Sequence, residues 1–187
     1  NDTHPTLIFP ELMRLLLAED GLGWDEAWAI VTACVNYTNH TVMSEALETW
    51  PQGLIQSQLP RVWEIICEIN RRWCDDLRAR FGDDARVGRN LIIADGSVHM
   101  ANLCLAACKT INGVSALHGE ILRRDLFRDI CALDPSRFTY VTNGIDHRRW
   151  LAQCNPGLHA LVCDVLGGDA YLRHPEELAG LERAADD

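Results

Sequence analysis

The stretch VNYTNHTV, residues 35–42, decides how the rest of the chain is read. Its β-branched and aromatic residues suit a pleated, half-buried surface, so the segment reads as extended. It follows Trp24, Trp28, Val31 and Val35, which recur at helical spacing behind Asp25 and Glu26, whose charges suit a helix N-terminus. A helix running into a short strand tipped with small polar residues points to an α/β layered fold. The same eight residues hold Asn-x-Thr triplets at Asn36 and Asn39, and a third opens the chain at Asn1. Either these are glycan acceptors of a secreted protein, or His40 among them marks a sugar or phosphate site.

Working outward, the alternation continues. Upstream, Pro10 to Ala18 carries Leu12, Leu15 and Leu16 at helical spacing, with Pro10 in a first turn and Gly-Leu-Gly at 21–23 as the stop. Downstream, Val62, Ile65, Ile66, Ile69, Trp73 and Leu77 recur every three or four residues, which predicts a long helix over 60–81 with a charged outer face. Asp95-Gly96 between two apolar runs predicts a hairpin. MANLCLAAC reads as a buried helix, TINGV as a short strand and turn, SALHGEILRRDLFRDICAL as a helix or broken pair, and FTYVTNG as β-like. Residues from about 147 to 166 look helical, bent or interrupted at Pro156-Gly157. Short strands ending in Gly-containing loops between helices predict parallel strands with crossover helices.

At 187 residues, 48% hydrophobic and 24% charged, the chain can build one core and not two large independent ones. A net charge of -10 argues against nucleic acid and acidic membranes, which would repel it, and leaves a neutral ligand such as an oligosaccharide unpenalised. No run approaches the ~20 apolar residues that span a bilayer, and no secretory leader is evident. The expected compartment is the cytoplasm. Cys67, Cys74, Cys104 and Cys108 lie inside apolar helical patterns and no C-x-x-C pair exists, so reduced thiols are expected and zinc is not. The sequons lose their weight accordingly, since glycosylation needs the secretory route. A start at Asn1 without Met and an acidic helix-like tail, PEELAGLERAADD, read as a piece of a longer chain.

Four polar clusters share one trait, small turn-forming residues joined to a histidine or glycine: NDTHP (Asn1, Asp2, Thr3, His4), TNHT (Thr38, Asn39, His40, Thr41), NGV (Asn112, Gly113, Val114) and TNG (Thr142, Asn143, Gly144). In parallel α/β sheets ligands bind beyond the carboxyl ends of strands, where such loops gather. Neutral hydroxyl-rich ligands need short donors and acceptors, which Asn, Asp, Thr and neutral His supply. Each cluster also has a bland reading. Asn-Gly is commonly a plain turn, His40 a satisfied core histidine, His4 a helix-start residue, and His118, among Leu117, Ile121 and Leu122, a packing residue. Arg71-Arg72 and Arg123-Arg124 read as solvated helix faces. Arg148-Arg149-Trp150 follows a Gly turn at a helix start, where an anion or cofactor could approach. There is no phosphate-binding Gly loop and no G-x-S-x-G.

Taken in order, NDTHPTLIFPELMRLL, WDEAW, YTNHTVMSEALETWP, LPRVWEIICEINRRW, MANLCLAACKTINGVSALHGEIL and TNGIDHRRWLAQCNPGL closely resemble the glycogen, starch and maltodextrin phosphorylase family, from residue 1 to about 160. The resemblance implies a fragment of a two-Rossmann-domain (GT-B type) α/β glycosyltransferase. Residues 1–142 would be the C-terminal part of the family's N-terminal Rossmann-like domain, and 143–187 the start of its C-terminal domain. It implies release of glucose 1-phosphate from α-1,4-glucan ends by inorganic phosphate, with pyridoxal phosphate as cofactor and a full-length homodimer. By the same resemblance Asp2 and His4 lie by the sugar site, His40 and Asn143 contact the 6-hydroxyl of the glucosyl unit, Val114 packs against the sugar, and Trp150 lies close to the cofactor. None of these is the catalytic acid.

Departures are local: Ser44 stands where the family commonly has proline, Ala107-Cys108-Lys109 where it often has Gly-Ser-His, and Asp146-His147 where many members have Thr-Pro. The Schiff-base lysine motif, of the kind GTSNMK, and the residues that hold substrate phosphate are not in these 187 residues. The expectation is that this piece alone neither keeps pyridoxal phosphate nor turns over. Two further readings stand beside it: a non-catalytic carbohydrate-binding or scaffold domain, and a metal hydrolase using Asp2, His4 and His40.

Overall fold

The computed structural model describes residues 2–185. It shows a helix-rich α/β chain that divides into two compact units, Asn1–Thr142 and Asn143–Asp187.

The first unit is built around its long helix. Helices α1 (Ile8–Ala18) and α2 (Trp24–Cys34) bury Phe9, Met13, Ala27 and Val31. Strand β1 (Tyr37–Thr38) follows, then β2 (Thr49–Pro51), α3 (Gln52–Gln58) and α4 (Pro60–Phe81). The apolar period of α4 turns Val62, Ile65, Ile66, Ile69 and Leu77 inward, Pro60 occupies its first turn, and Gly82, at φ 72°, ends it. Its outer face carries Glu68 between Arg71 and Arg72, each bonded at 2.7 Å. Asn70 on α4 accepts the backbone N–H groups of Ile92 and Ile93 at 3.0 and 3.2 Å, which aligns the helix with the next strands.

After α5 (Ala85–Arg89), β3 (Ile93–Ala94) and β4 (Ser97–His99) form the expected hairpin. Asp95 at φ 50° and Gly96 at φ 73° supply the two left-handed residues of a primed turn. β4 also pairs antiparallel with β2, giving the order β2-β4-β3. Nothing in the sequence announced β2; it is a three-residue edge strand ending at Pro51, where the missing N–H is tolerated.

Helix α6 (Met100–Ala107) is buried nearly all round, as its continuous apolar composition predicts. It leads to β5 (Ile111–Gly113), then α7 (Ala116–Ile121), a wide π-type turn over Leu122–Leu126, α8 (Arg128–Leu133) and β6 (Phe138–Tyr140). β5 pairs in parallel with β1 (Tyr37↔Ile111, Thr38↔Asn112) and with β6 (Ile111↔Phe138, Gly113↔Tyr140), in the order β1-β5-β6. Parallel strands joined by helices are therefore present, alongside the separate antiparallel sheet.

The extended reading of 35–42 is too long. Only Tyr37 and Thr38 are strand, with Asn39 N–H adding one bond to Asn112 O at 2.9 Å. Beyond that, Asn39 Oδ1 accepts the Thr41 N–H at 2.9 Å, and this local turn takes the chain out of the ladder. All eight cysteines are free thiols. In the second unit a π-type turn over Arg148–Gln153 precedes α9 (Pro156–Leu166), capped by Asn155 Oδ1 on the Leu158 N–H at 3.1 Å. The acidic tail makes 3-10 turns over Pro175–Ala184 rather than an α-helix.

Candidate functional site

The carboxyl ends of β1 and β5 bring three of the four polar clusters to one sheet edge. Asp2 reaches it because its N–H donates to Thr38 O at 2.8 Å, laying the start of the chain against the end of β1. Asp2 adopts φ 58°, a conformation its short side chain supports by accepting the Thr3 N–H at 2.7 Å. Thr38 Oγ1 donates to Asn112 Oδ1 at 2.8 Å across the β1–β5 pair.

His40 follows at the loop tip. Its side chain is exposed, so the core-histidine reading is overturned. The residue before it is the buried one: Asn39 is fully enclosed, donates to the Tyr37 hydroxyl at 2.8 Å and accepts from Thr41. Burial pushes the Tyr37 phenol far above its ordinary pKa, and the bond from Asn39 opposes that shift in part. With its amide enclosed and committed, Asn39 cannot serve as a glycan acceptor.

Val114, half-buried, lies just beyond β5. Its N–H donates to His118 Nδ1 at 3.1 Å, and His118 Nε2 meets Thr41 O at 2.7 Å. His118 is thus 5% exposed and doubly bonded, more than a packing residue. Its ring reaches the sheet edge because Ser115 Oγ caps α7 by accepting the His118 N–H at 3.1 Å. Gly113 permits the approach: a Cβ there would lie 2.8 Å from Gly119 N and 3.1 Å from His118 C. The only sequence signal for this arrangement is a Ser three residues before a His, right after a Gly-ended strand.

His4 is not at the centre of this edge. It is 81% exposed in its side chain, with Nδ1 3.4 Å from Glu48 Oε2. Glu48 collects this network, accepting from Thr3 Oγ1 at 2.6 Å and Trp50 Nε1 at 2.8 Å. Sequence reasoning missed Glu48 because a single carboxylate before a strand carries no local signature. Asn1 lies outside the described residues. Among the described residues no three His, Cys, Asp or Glu side chains gather closely enough to hold a metal ion, so Asp2, His4 and His40 are not a ligand set. A cleft of about 240 Å³ lined by Trp24, Trp28, Trp73, Arg72, Arg80 and Arg137 shares no lining residue with this edge.

Asn143 and Trp150 belong to the second unit. Asn143 is exposed. Trp150 is 61% exposed, and the Arg149 guanidinium lies 6.0 Å from its ring centre. Asp146 Oδ1 accepts the Arg149 N–H at 3.0 Å, tightening the turn that presents them. Among the described residues no helix is long and apolar enough to cross a membrane.

A family model described as Carbohydrate phosphorylase matches residues 1–187. The chain is 46% identical over 188 residues to a glycogen phosphorylase of Bacillus subtilis, 46% over 192 residues to an α-glucan phosphorylase, H isozyme, of Triticum aestivum, and 44% over 191 residues to a muscle-form glycogen phosphorylase of Bos taurus. Each alignment covers 100% of this chain and 23% of the relative, so the chain spans about a quarter of their length.

Proposed function

The chain belongs to the carbohydrate phosphorylase family, and from that premise we propose that its parent protein releases glucose 1-phosphate from the ends of α-1,4-glucans with inorganic phosphate. These residues supply the wall that binds and orients the terminal glucosyl unit. The observation that carries this reading is the convergence of the Asp2, His40 and Val114 loops at the carboxyl ends of β1 and β5. That edge offers short polar donors and acceptors and an exposed imidazole, which suit a hydroxyl-rich hexose.

His40 and Asn143 orient the 6-hydroxyl, Val114 packs against the ring, and Asp2 and His4 line the adjoining pocket, with Glu48 holding His4 and Thr3 in place. The two-Rossmann-domain architecture, a homodimeric parent and a cytoplasmic location belong to the same proposal, with the first unit closing the N-terminal domain and the second opening the C-terminal one.

The family's pyridoxal phosphate fits these residues only in part. Trp150 presents an exposed indole face that suits a planar cofactor. Lys109, the sole lysine of the sequence, precedes β5 and so stands at the opposite end of that strand from Val114. The work of these residues is positioning.

The test is glucose 1-phosphate release from maltoheptaose by the parent protein. His40→Ala and Asn143→Ala should each lower kcat/KM by about tenfold or more, as the loss of a hydrogen bond worth ~1.5 kcal/mol requires. Unchanged rates in both would remove the sugar-site assignment.

A further inference from the structure

The site described above uses His40 and Val114, which lie on different loops and are 74 residues apart in sequence. Their relative placement needs a physical link, and the structure contains one. The Val114 N–H points at His118 Nδ1, 3.1 Å away, so that nitrogen must present its lone pair. The ring proton therefore sits on Nε2 and is donated to Thr41 O at 2.7 Å. Thr41 is the residue after His40, and its N–H is held from the other side by Asn39 Oδ1 at 2.9 Å. His40 thus stands in a loop gripped at both neighbours, one grip being anchored on the Tyr37–Asn39 pair and the other on α7.

The ring itself has no freedom to drift. The residue is 5% exposed, its backbone N–H is capped by Ser115 Oγ, and α7 approaches β5 to the limit that Gly113 allows. A single imidazole, in one tautomer, spans the gap between two loops of the sheet edge.

We propose that His118 is a positioning residue for glucosyl recognition, tying the loop of His40 to the turn of Val114 so that both meet the same sugar. The inference rests on the sugar-site reading of His40. Replacement separates the two bonds: an Asn side chain can place its amide oxygen near Nδ1 and keep the Val114 bond, whereas Gln can place its amide nitrogen near Nε2 and keep the bond to Thr41 O.

The experiment measures kcat/KM of the full parent protein in the synthetic direction, with α-glucose 1-phosphate and its 6-deoxy analogue. Wild type should prefer the hydroxylated donor. His118→Ala should lower kcat/KM for it by about tenfold or more and shrink the preference, while His118→Gln, which keeps the grip on Thr41, should restore more of the preference than His118→Asn. In a His40→Ala background the same His118→Ala change should cost less than about threefold, because the group it positions is gone.

If the two costs multiply in full, or if His118→Ala lowers thermal stability with the donor preference intact, the positioning role is refuted while the sugar site stands. If His40→Ala alone leaves rate and preference unchanged, the sugar-site reading itself has failed. Should His118→Ala not accumulate as folded protein, the Gln and Asn variants decide: equal donor preferences in the two refute the proposal, and a higher one in Gln supports it.

Discussion

Substituting Gly113 with Ala tests the close approach that brings α7 to the sheet edge. Gly113 does not need glycine for its backbone angles; it needs it for room. The added Cβ would sit 2.8 Å from Gly119 N, whereas ordinary contact begins at 3.4 Å, so β5 and α7 must part by about 0.6 Å. The atoms it meets are backbone and cannot swing aside as a flexible side chain would. Overpacking of this kind costs about 1–3 kcal/mol, and the movement is borne by the turn that carries His118. Gly53, within α3, provides the control. Nothing lies within 4 Å of a Cβ placed there and its φ is not left-handed, so Gly53→Ala should stabilise by about 0.5–1 kcal/mol through helix propensity and a less free unfolded chain. Urea unfolding of wild type and both variants, followed by tryptophan fluorescence, should move the midpoint in opposite directions. Phosphorolysis by the parent protein should fall with Gly113→Ala and hold with Gly53→Ala. Equal shifts of the same sign, or a neutral Gly113→Ala, would refute the packing argument.

Asn39→Ala should destabilise by about 2–4 kcal/mol, since it removes the bonds that a fully buried amide makes to Tyr37 and Thr41 and leaves the enclosed Tyr37 hydroxyl without that donor; a midpoint shift below a quarter of that range in the same urea assay would contradict it. Glu68 is held down at about 2, chiefly by hydrogen bonds from Arg71 and then Arg72, against an ordinary 4.5. Its pairing is therefore fully present above about pH 4.5 and is lost as pH falls through about 2. Because these partners face solvent, Glu68→Gln should cost less than about 1 kcal/mol at pH 7. That deficit should shrink steadily on acidification below pH 4.5, and a deficit that is constant from pH 7 to 2 would show that the charge plays no part.

The helices were legible wherever one face alone had to be buried. The three-and-four spacing from Val62 to Leu77 requires one apolar stripe, and Pro60 and Gly82 set its limits by chemistry local to each residue. The Asp95-Gly96 turn was legible for a similar reason, since few residues accept two successive left-handed conformations. A broken pair was one of two readings of SALHGEILRRDLFRDICAL, but the place of the break was not legible, because LHGEILRRDLF contains no proline and Gly119 there serves a neighbour, a Cβ on it lying 3.1 Å from Tyr140 Cβ.

At the site, residue chemistry singled out His40 and Val114 through small polar clusters. The roles of Asn39, His118 and Glu48 depend on partners 2, 77 and 45 residues away, of which only the first is local. The register that sets Thr38 against Asn112 decides which side chains face each other at the edge, and short strands carry too few residues to reveal a register by alternation.

That same pairing has a consequence for how the molecule is made. Thr38 and Asn112 are separated by 74 positions, and joining ends so far apart costs roughly 4 kcal/mol of chain entropy before a single ladder bond forms. The antiparallel hairpin and the long helix can assemble from near neighbours in the meantime. That sheet edge is therefore among the last parts to acquire its shape during synthesis, and a mutation that slows closure of β1 on β5 would yield chains with sound helices and an unfinished sheet.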